Sequence, residues 1–308
     1  MPSDLAIHVD KLSVFFDDFC AVREISFDVK QGEIFGFLGA NGAGKTTTIR
    51  VLCGLLPPSS GTVTVAGIPY ESGEMAIKQR VGYMSQKFTL YDDLTVEENL
   101  NFTASLRKIP RKVYLERRSK ILDFISFKRS LKSFVKDLPG GTKQQVALAA
   151  SMLHDPEIVF LDEPTAGVTP AARARFWALL RELAGQKKTI FVSTHYMDEA
   201  EQCERIALMG AGQIIALDSP LALKGRAFPQ GVYEMNPRSA NVGFARIQEL
   251  RKHSGFSYFE PYGLRFHAEF KGEHETKLAR ELEKDFEVRK IQPTLEDVFI
   301  RFVEGSKR

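Results

Sequence analysis

The sequence predicts an α/β fold. A central, mostly parallel sheet carries an antiparallel β portion and a helical portion, and a small α+β domain follows at the C-terminus. Three observations predict it. Gly39-Ala40-Asn41-Gly42-Ala43-Gly44-Lys45-Thr46 reads G-x-x-x-x-G-K-[ST] between an apolar run and a helical one. Ile158-Val159-Phe160-Leu161 is the uninterrupted apolar run of a strand covered on both faces, and it ends on Asp162-Glu163. Beyond the breaker-rich stretch Leu223–Gly231 the pattern changes to short strands alternating with helices.

The elements follow in order. Leu5–Val9 and Ile25–Val29 alternate apolar and polar residues as antiparallel strands do, and Thr62–Val65 and Val81–Met84 continue that pattern. Ile34–Leu38 reads as a buried parallel strand, and Thr46 to Gly54 as a helix that Gly54 stops. Thr95-Val96-Glu97-Glu98 is a capping box that opens a helix, after which helical periodicity runs to about residue 136. Val146–Leu153 is a further helix, Ala171–Leu183 another, and Thr189–Ser193 a strand followed by a helix from Met197 to about Cys203. Ile206–Met209 and Gln213–Leu217 form a hairpin around Gly210-Ala211-Gly212. These observations divide the chain into residues 1–223 and 224–308. The second part reads as strand 232–235, helix 243–253, strands 257–260 and 263–270, helix 274–284, strand 286–292 and helix 294–303, a ferredoxin-like βαββαβ order.

At 308 residues the chain is long enough for two cores, and 44% hydrophobic with 26% charged residues is an ordinary globular composition. No apolar stretch reaches bilayer length. Met1-Pro2-Ser3-Asp4 has no basic region before an apolar core, so no signal peptide is expected. Cys20, Cys53 and Cys203 are scattered, without metal-ligand spacing, and suit a reducing compartment. A net charge of +3 gives no case for nucleic acid as a partner. Residues 107–136 hold eleven Lys/Arg against Glu116 and Asp123, which leaves the rest of the chain about −6. That run reads either as a solvated helical face or as a surface for anionic lipid head groups or an acidic partner.

The glycine pattern has a chemical reason. Gly39, Gly42 and Gly44 let the backbone curl so that successive N–H groups point at a polyphosphate. Lys45 reaches the β- and γ-phosphates, and Thr46 offers a hydroxyl to Mg²⁺. Strand, loop and helix N-terminus together make an anion site. Asp162 and Glu163, at the carboxyl end of a central strand, point into the crevice where an α/β sheet binds its ligand. Asp162 would hold Mg²⁺ through water, and Glu163 would orient or deprotonate an attacking water. His195 follows the next strand at the mouth of that crevice, and the Gln86 amide oxygen is a further Mg²⁺ ligand. Phe16 offers a face for adenine; Phe15 competes with it, and a core position is the plain alternative.

Here the chain resembles the nucleotide-binding subunits of ATP-binding-cassette transporters. The order is an aromatic loop (Phe16), a glycine loop (Gly39–Thr47), a glutamine loop (Met84-Ser85-Gln86), a signature (Leu138-Pro139-Gly140-Gly141), an acidic strand (Phe160–Pro164), a dimer loop (Ala166–Pro170) and a switch histidine (His195). Thr194–Glu201 and Pro293–Phe299 are similar to the drug-resistance exporter branch, whose members carry a C-terminal accessory domain. The resemblance implies a P-loop NTPase cassette with a helical subdomain at about residues 95–150. It implies ATP contacts from Phe16, Gly39, Asn41, Gly42, Ala43, Gly44, Lys45, Thr46, Thr47 and Gln86, with Gly140 and Gly141 clamping the γ-phosphate held by a second cassette. It implies Mg²⁺ at Thr46, Gln86 and Asp162, and catalysis by Lys45, Glu163 and His195. Two positions depart from the family. Pro139 stands where the signature carries serine, and Thr169 where the dimer loop carries aspartate.

The resemblance implies an ATPase subunit that powers export from the cytoplasmic face of the membrane. Its partners would be transmembrane subunits, gripped by Lys87–Leu94, and a second cassette, identical or paralogous. Two alternatives remain at this point. One is a nucleotide-gated subunit that hydrolyses poorly because of Pro139 and Thr169. The other is a soluble cassette acting outside transport, against which stand the absence of long coiled coils and the single cassette. The transported substrate is not written in this chain.

Overall fold

The computed structural model describes residues 4–86, 90–238, 244–272 and 275–305. It comprises two compact units, Met1–Leu217 and Asp218–Arg308. The expected boundary after residue 223 therefore falls inside a helix, Pro220–Ala227, capped by the Ser219 hydroxyl. Pro220 occupies the first turn, where a missing N–H costs nothing; of the breakers that suggested a linker, Gly225 lies inside this helix and Pro229 and Gly231 follow its end.

In chain order the first unit contains β1 (Leu5–Phe16), β2 (Phe19–Lys30), β3 (Ile34–Gly39), α1 (Lys45–Leu52), β4 (Ser60–Val65), β5 (Ile68–Pro69), α2 (Glu74–Arg80) and β6 (Val81–Met84). Next come α3 (Val96–Leu106), α4 (Arg111–Phe124) and α5 (Gly140–Met152). Then follow β7 (Ile158–Asp162), α6 (Pro170–Gly185), β8 (Thr189–Thr194), α7 (Met197–Ala200), β9 (Arg205–Gly210) and β10 (Gln213–Asp218).

One sheet has the order β2-β1-β4-β5 and is antiparallel. Its strands are longer than the sequence suggested. A register shift between Val9 and Leu12, with Lys11 at φ +50°, moves the apolar phase from Ile7 and Val9 to Leu12 and Val14, so simple alternation breaks while the strand continues. The second sheet has the order β10-β9-β3-β8-β7-β6, and β9, β3, β8, β7 and β6 run parallel. Val81–Met84 belongs here, parallel to β7, and not to the antiparallel pattern. Residues 85–157, which carry α3, α4 and α5, supply the crossover from β6 to β7 that a parallel pair needs.

The two sheets meet through phenylalanines. Phe27 of β2 stacks on Phe35 at 5.7 Å, and Phe191 lies 5.3 Å from Phe37 and 5.4 Å from Phe160. Each such pair adds about 0.5–1.5 kcal/mol beyond the area it buries. This cluster fixes the floor beneath the carboxyl ends of β3, β7 and β8, which parallel pairing brings to one edge.

Thr95 and Glu98 form the expected capping box at α3. The helical run does not continue to residue 136. Pro110 starts a new helix, α4, which ends at Phe124, and only a short 3₁₀ turn, Val135–Asp137, follows. Val96, Leu100, Tyr114, Val146 and Leu153 share one core that binds α3, α4 and α5. The α5 helix starts at Gly140, not at Val146, with Pro139 as its N-cap residue. The α7 helix is a single turn and stops before Cys203.

The second unit begins with α8 (Pro220–Ala227). It continues through β11 (Val232–Pro237), α9 (Phe244–Lys252), β12 (Phe256–Tyr262), β13 (Arg265–Phe270), α10 (Glu275–Leu282), β14 (Phe286–Ile291) and α11 (Leu295–Gly305). Its antiparallel sheet has the order β12-β13-β11-β14. Leu250, Leu278 and Leu282 pack on Met235, Phe266 and Phe286 on one face. Alternation turns His267 to the other face, where its Nδ1 meets Asp297 of α11 at 2.9 Å. Asp297 also accepts the Thr294 N–H and hydroxyl, both at 2.8 Å, so one carboxylate caps α11 and fastens it to the sheet. Burial pushes the Asp297 carboxyl up, but the His267 and Thr294 hydrogen bonds outweigh this and hold it below its ordinary value.

Candidate nucleotide site

The chain leaves β3 at Gly39, turns through Ala40–Gly44 and enters α1 at Lys45. Gly44 has φ +103°, and a Cβ there would sit 2.6 Å from the Ala21 carbonyl oxygen. A Cβ on Gly39 would sit 2.4 Å from the Met209 carbonyl oxygen. The loop is thus pressed against β2 and β9, and only glycine fits at both places. Gly42 has φ +81° with open space around its α-carbon. Ala43 turns its methyl into the core and donates its N–H to the Ala40 carbonyl at 3.2 Å.

Lys45 is buried. Its ammonium donates to the carbonyls of Gly39 at 2.7 Å and Ala40 at 3.1 Å and lies 3.5 Å from Glu163 Oε1. The Thr46 hydroxyl donates to Asp162 Oδ2 at 2.8 Å, and the Ser193 hydroxyl to Asp162 Oδ1 at 2.5 Å. A hydroxyl and a carboxylate side by side are a hard-oxygen donor set, which fits Mg²⁺. Gln86 donates from Nε2 to Glu163 Oε2 at 2.9 Å, which leaves its amide oxygen as the atom for a cation.

Glu163 gathers the site. Its backbone is left-handed, φ +50°, a conformation that costs about 1–3 kcal/mol in a residue other than glycine. Its N–H donates to the Ser193 carbonyl and hydroxyl, both at 3.1 Å, which holds that turn. The Oε2 atom receives Gln86 and stands 3.1 Å from His195 Nδ1. Residues from α1, from the end of β6 and from the end of β8 therefore converge on one carboxylate at the end of β7.

A cavity of about 370 Å³ opens above these groups. Asn41, Gly42, Gly44, Lys45, Thr46, Thr47, Gln86 and Glu163 line one side, and Phe16, Phe19 and Ala21 the other. Phe16 is thus the aromatic that faces the loop; Phe15 does not line the cavity, and neither residue is core, at 46% and 51% exposed. Phe19 was not anticipated. It pairs with Phe16 across a turn in which Asp17 has φ +49°, and Phe16-Asp17-Asp18-Phe19 carried that turn signal in the sequence. Ser193, which the sequence showed only as a strand residue, was missed as well.

Gly140 and Gly141 are not beside this cavity. They open α5 against the start of α6, where a Cβ on Gly141 would lie 2.6 Å from Ala172 Cβ. Thr169 caps α6 with its hydroxyl, which accepts the Ala172 N–H. Threonine therefore keeps the capping role open to an aspartate here and gives up the charge.

The basic run is divided in use. Arg107 donates to the Lys78 carbonyl, Arg117 to the Leu153 carbonyl at 3.3 Å, and Arg118 to Glu97 at 2.6 Å. Arg107 and Arg117, with Lys108 of the same run and Lys78 from α2, also rim a groove of about 710 Å³ that holds Leu55, Met75, Leu106 and Ile109. Burial, then the nearby Arg107 charge, pushes the His154 imidazole in this groove down to about 4. Lys87, Phe88 and Thr89 of the expected partner-gripping segment lie outside the described residues. Beyond them Tyr91, 55% exposed, packs edge-on against Phe102 at 5.2 Å. No helix among the described residues is long and apolar enough to cross a membrane.

Comparison with known proteins places these features among relatives. The family model described as ABC transporter matches residues 22–166. The chain is 42% identical over 226 residues to the probable multidrug ABC transporter ATP-binding protein YbhF of Escherichia coli, an alignment that covers 73% of this chain. It spans only 39% of that relative's length. It is 34% identical over 307 residues to the Nod factor export ATP-binding protein I of Sinorhizobium fredii, covering 97% of this chain and 86% of that one. A solved ATP-binding subunit of an ABC transporter superposes with a TM-score of 0.65 at 28% identity, covering 73% of this chain and 93% of its own.

Proposed function

The chain belongs to the ABC transporter family of ATP-binding cassettes, and on that premise we propose that it binds and hydrolyses ATP as the energy-supplying subunit of an exporter. The observation that carries the reading is the convergence of Lys45, Gln86 and His195 on Glu163, beside the Thr46–Asp162 pair. Lys45 exchanges its loop carbonyls for the β- and γ-phosphate oxygens. Phe16 and Phe19 take the adenine. Glu163 accepts the proton of the attacking water, and His195 holds that carboxylate in place. Thr46, Asp162 and the Gln86 amide oxygen would hold Mg²⁺, which when bound neutralises charge on the phosphates.

Gly140, Gly141 and the start of α5 offer backbone donors to the nucleotide of a second cassette. The groove of Leu55, Met75, Leu106 and Ile109, rimmed by lysines, suits an amphipathic segment of a transmembrane subunit, and this docking would hold the protein at the cytoplasmic face of the membrane. It extends the contact expected at Lys87–Leu94 to residues well separated in sequence. Export is favoured by the relatives named for multidrug and Nod factor export.

Glu163→Gln tests the reading. The amide fills the same space and cannot take a proton, so ATP binding should persist while hydrolysis falls by roughly 10²–10⁴-fold. With ATP and Mg²⁺ the variant should elute as a dimer on size exclusion. Hydrolysis near the wild-type rate would refute a mechanism centred on Glu163.

A further inference from the structure

Glu199, four residues past His195, is a carboxylate with 0% exposure. Three elements meet it. Thr165, two residues after Glu163, donates its hydroxyl to Oε1. Thr194, at the end of β8 and next to His195, donates to Oε2 at 2.8 Å. Arg173, in the first turn of α6, brings Nε to 3.1 Å of Oε1. The Arg173 guanidinium also lies over the Tyr196 ring at 4.3 Å, and that ring packs 4.1 Å from the His195 imidazole. Thr194 holds the Tyr196 N–H at 2.9 Å.

Burying a carboxylate costs several kcal/mol before its partners offset it, and an apolar residue of similar size would stabilise the fold as well. What the carboxylate adds is a connection. It ties the segment leaving Glu163 to the segment entering His195, behind the single side-chain bond by which those two residues meet. We propose that Glu199 is a positioning residue for hydrolysis, a clasp that keeps the His195 imidazole in register with the Glu163 carboxylate. It touches no reacting atom. The proposal rests on the hydrolytic reading above.

Loosening the clasp should slow turnover and leave ATP binding alone, because Lys45 and its loop are untouched. Glu199→Gln and Thr165→Val are made in the full chain, with Thr165→Ser as the variant that keeps the hydroxyl. Steady-state kcat and KM and the NMR resonances of the His195 ring are measured. Glu199→Gln and Thr165→Val should lower kcat about tenfold or more with KM within about twofold, while Thr165→Ser stays near wild type. The His195 resonances should move in the first two variants and not in the third. If Glu199→Gln does not fold, Thr165→Val carries the test. Folded Thr165→Val with wild-type kcat, unmoved His195 resonances, or a kcat loss that vanishes after correction for folded fraction would overturn the clasp. If the wild type binds ATP and hydrolyses none, the hydrolytic reading falls by itself, and the His195 resonances alone then decide for or against the clasp.

Discussion

Pro139 caps α5 with neither a hydroxyl nor an N–H to offer a facing γ-phosphate, whereas Gly140 and Gly141 keep their backbone N–H groups. If the hydroxyl limits turnover, Pro139→Ser should raise steady-state ATPase activity by roughly tenfold for each 1.4 kcal/mol recovered in the transition state. Unchanged activity with the dimer intact would show that backbone donors suffice, and would take away the main support for a poorly hydrolysing subunit. His154 gives a second prediction. Unfolded, it takes a proton near pH 6.5, and folded only near 4, because burial disfavours the charge. Between those values the unfolded chain binds more protons, so stability falls as pH falls and the loss is complete below about 4. The loss is on the order of 2 kcal/mol after allowing for the part of the ring open to water, and His154→Gln should flatten that stretch of a melting-temperature profile. At this scale the sequence was most legible where chemistry demands fixed spacing. Lys45, Gln86 and His195 lie around Glu163, and Thr46 around Asp162, at one end of the parallel sheet. Phe19, Ser193 and Glu199 were not legible, because an aromatic, a serine and a carboxylate acquire their roles from partners far away in sequence.

Among the elements, α5 packs tightly on α6 at Gly141, where an added methyl would lie 2.6 Å from Ala172 Cβ, an atom with no freedom to move aside. Gly141→Ala should therefore destabilise the protein by about 1–3 kcal/mol in urea unfolding. Gly140→Ala, whose Cβ would meet Val168 at an ordinary 3.9 Å, should stay within about 0.5 kcal/mol of wild type in that measurement. Equal losses would show that helix contact is not what requires glycine. The buried strands β3, β7 and β8 were plain in the sequence because each contains a continuous apolar stretch, Ile34–Leu38, Ile158–Leu161 and Ile190–Val192. The partner of Val81–Met84 was not, since four residues carry no sign of parallel or antiparallel pairing. The start of α5 was hidden by Pro139-Gly140-Gly141, which reads as a turn until the helix N-terminus uses it.

As a whole molecule, the chain separates at residue 217, and each unit has its own sheet and core. A chain ending there should bind ATP as the full protein does, by calorimetry, with a folded circular dichroism spectrum; a folded truncation without affinity would make residues 218–308 part of the nucleotide site. We propose an accessory, regulatory role for those residues. Order along the sheet also sets order in time. The strand that feeds the phosphate loop, residues 34–39, has as neighbours only residues 189–194 and 205–210. During synthesis at about 5–20 residues per second, that strand waits roughly 8–30 s with both hydrogen-bonding edges bare. The antiparallel hairpin of β1 and β2 precedes it in the chain, and Phe27 of that hairpin is the packing partner of Phe35 and Phe37. The phosphate loop thus leaves the ribosome well before the strands that give it its shape, and those strands come too late for nucleotide to guide the early steps of folding.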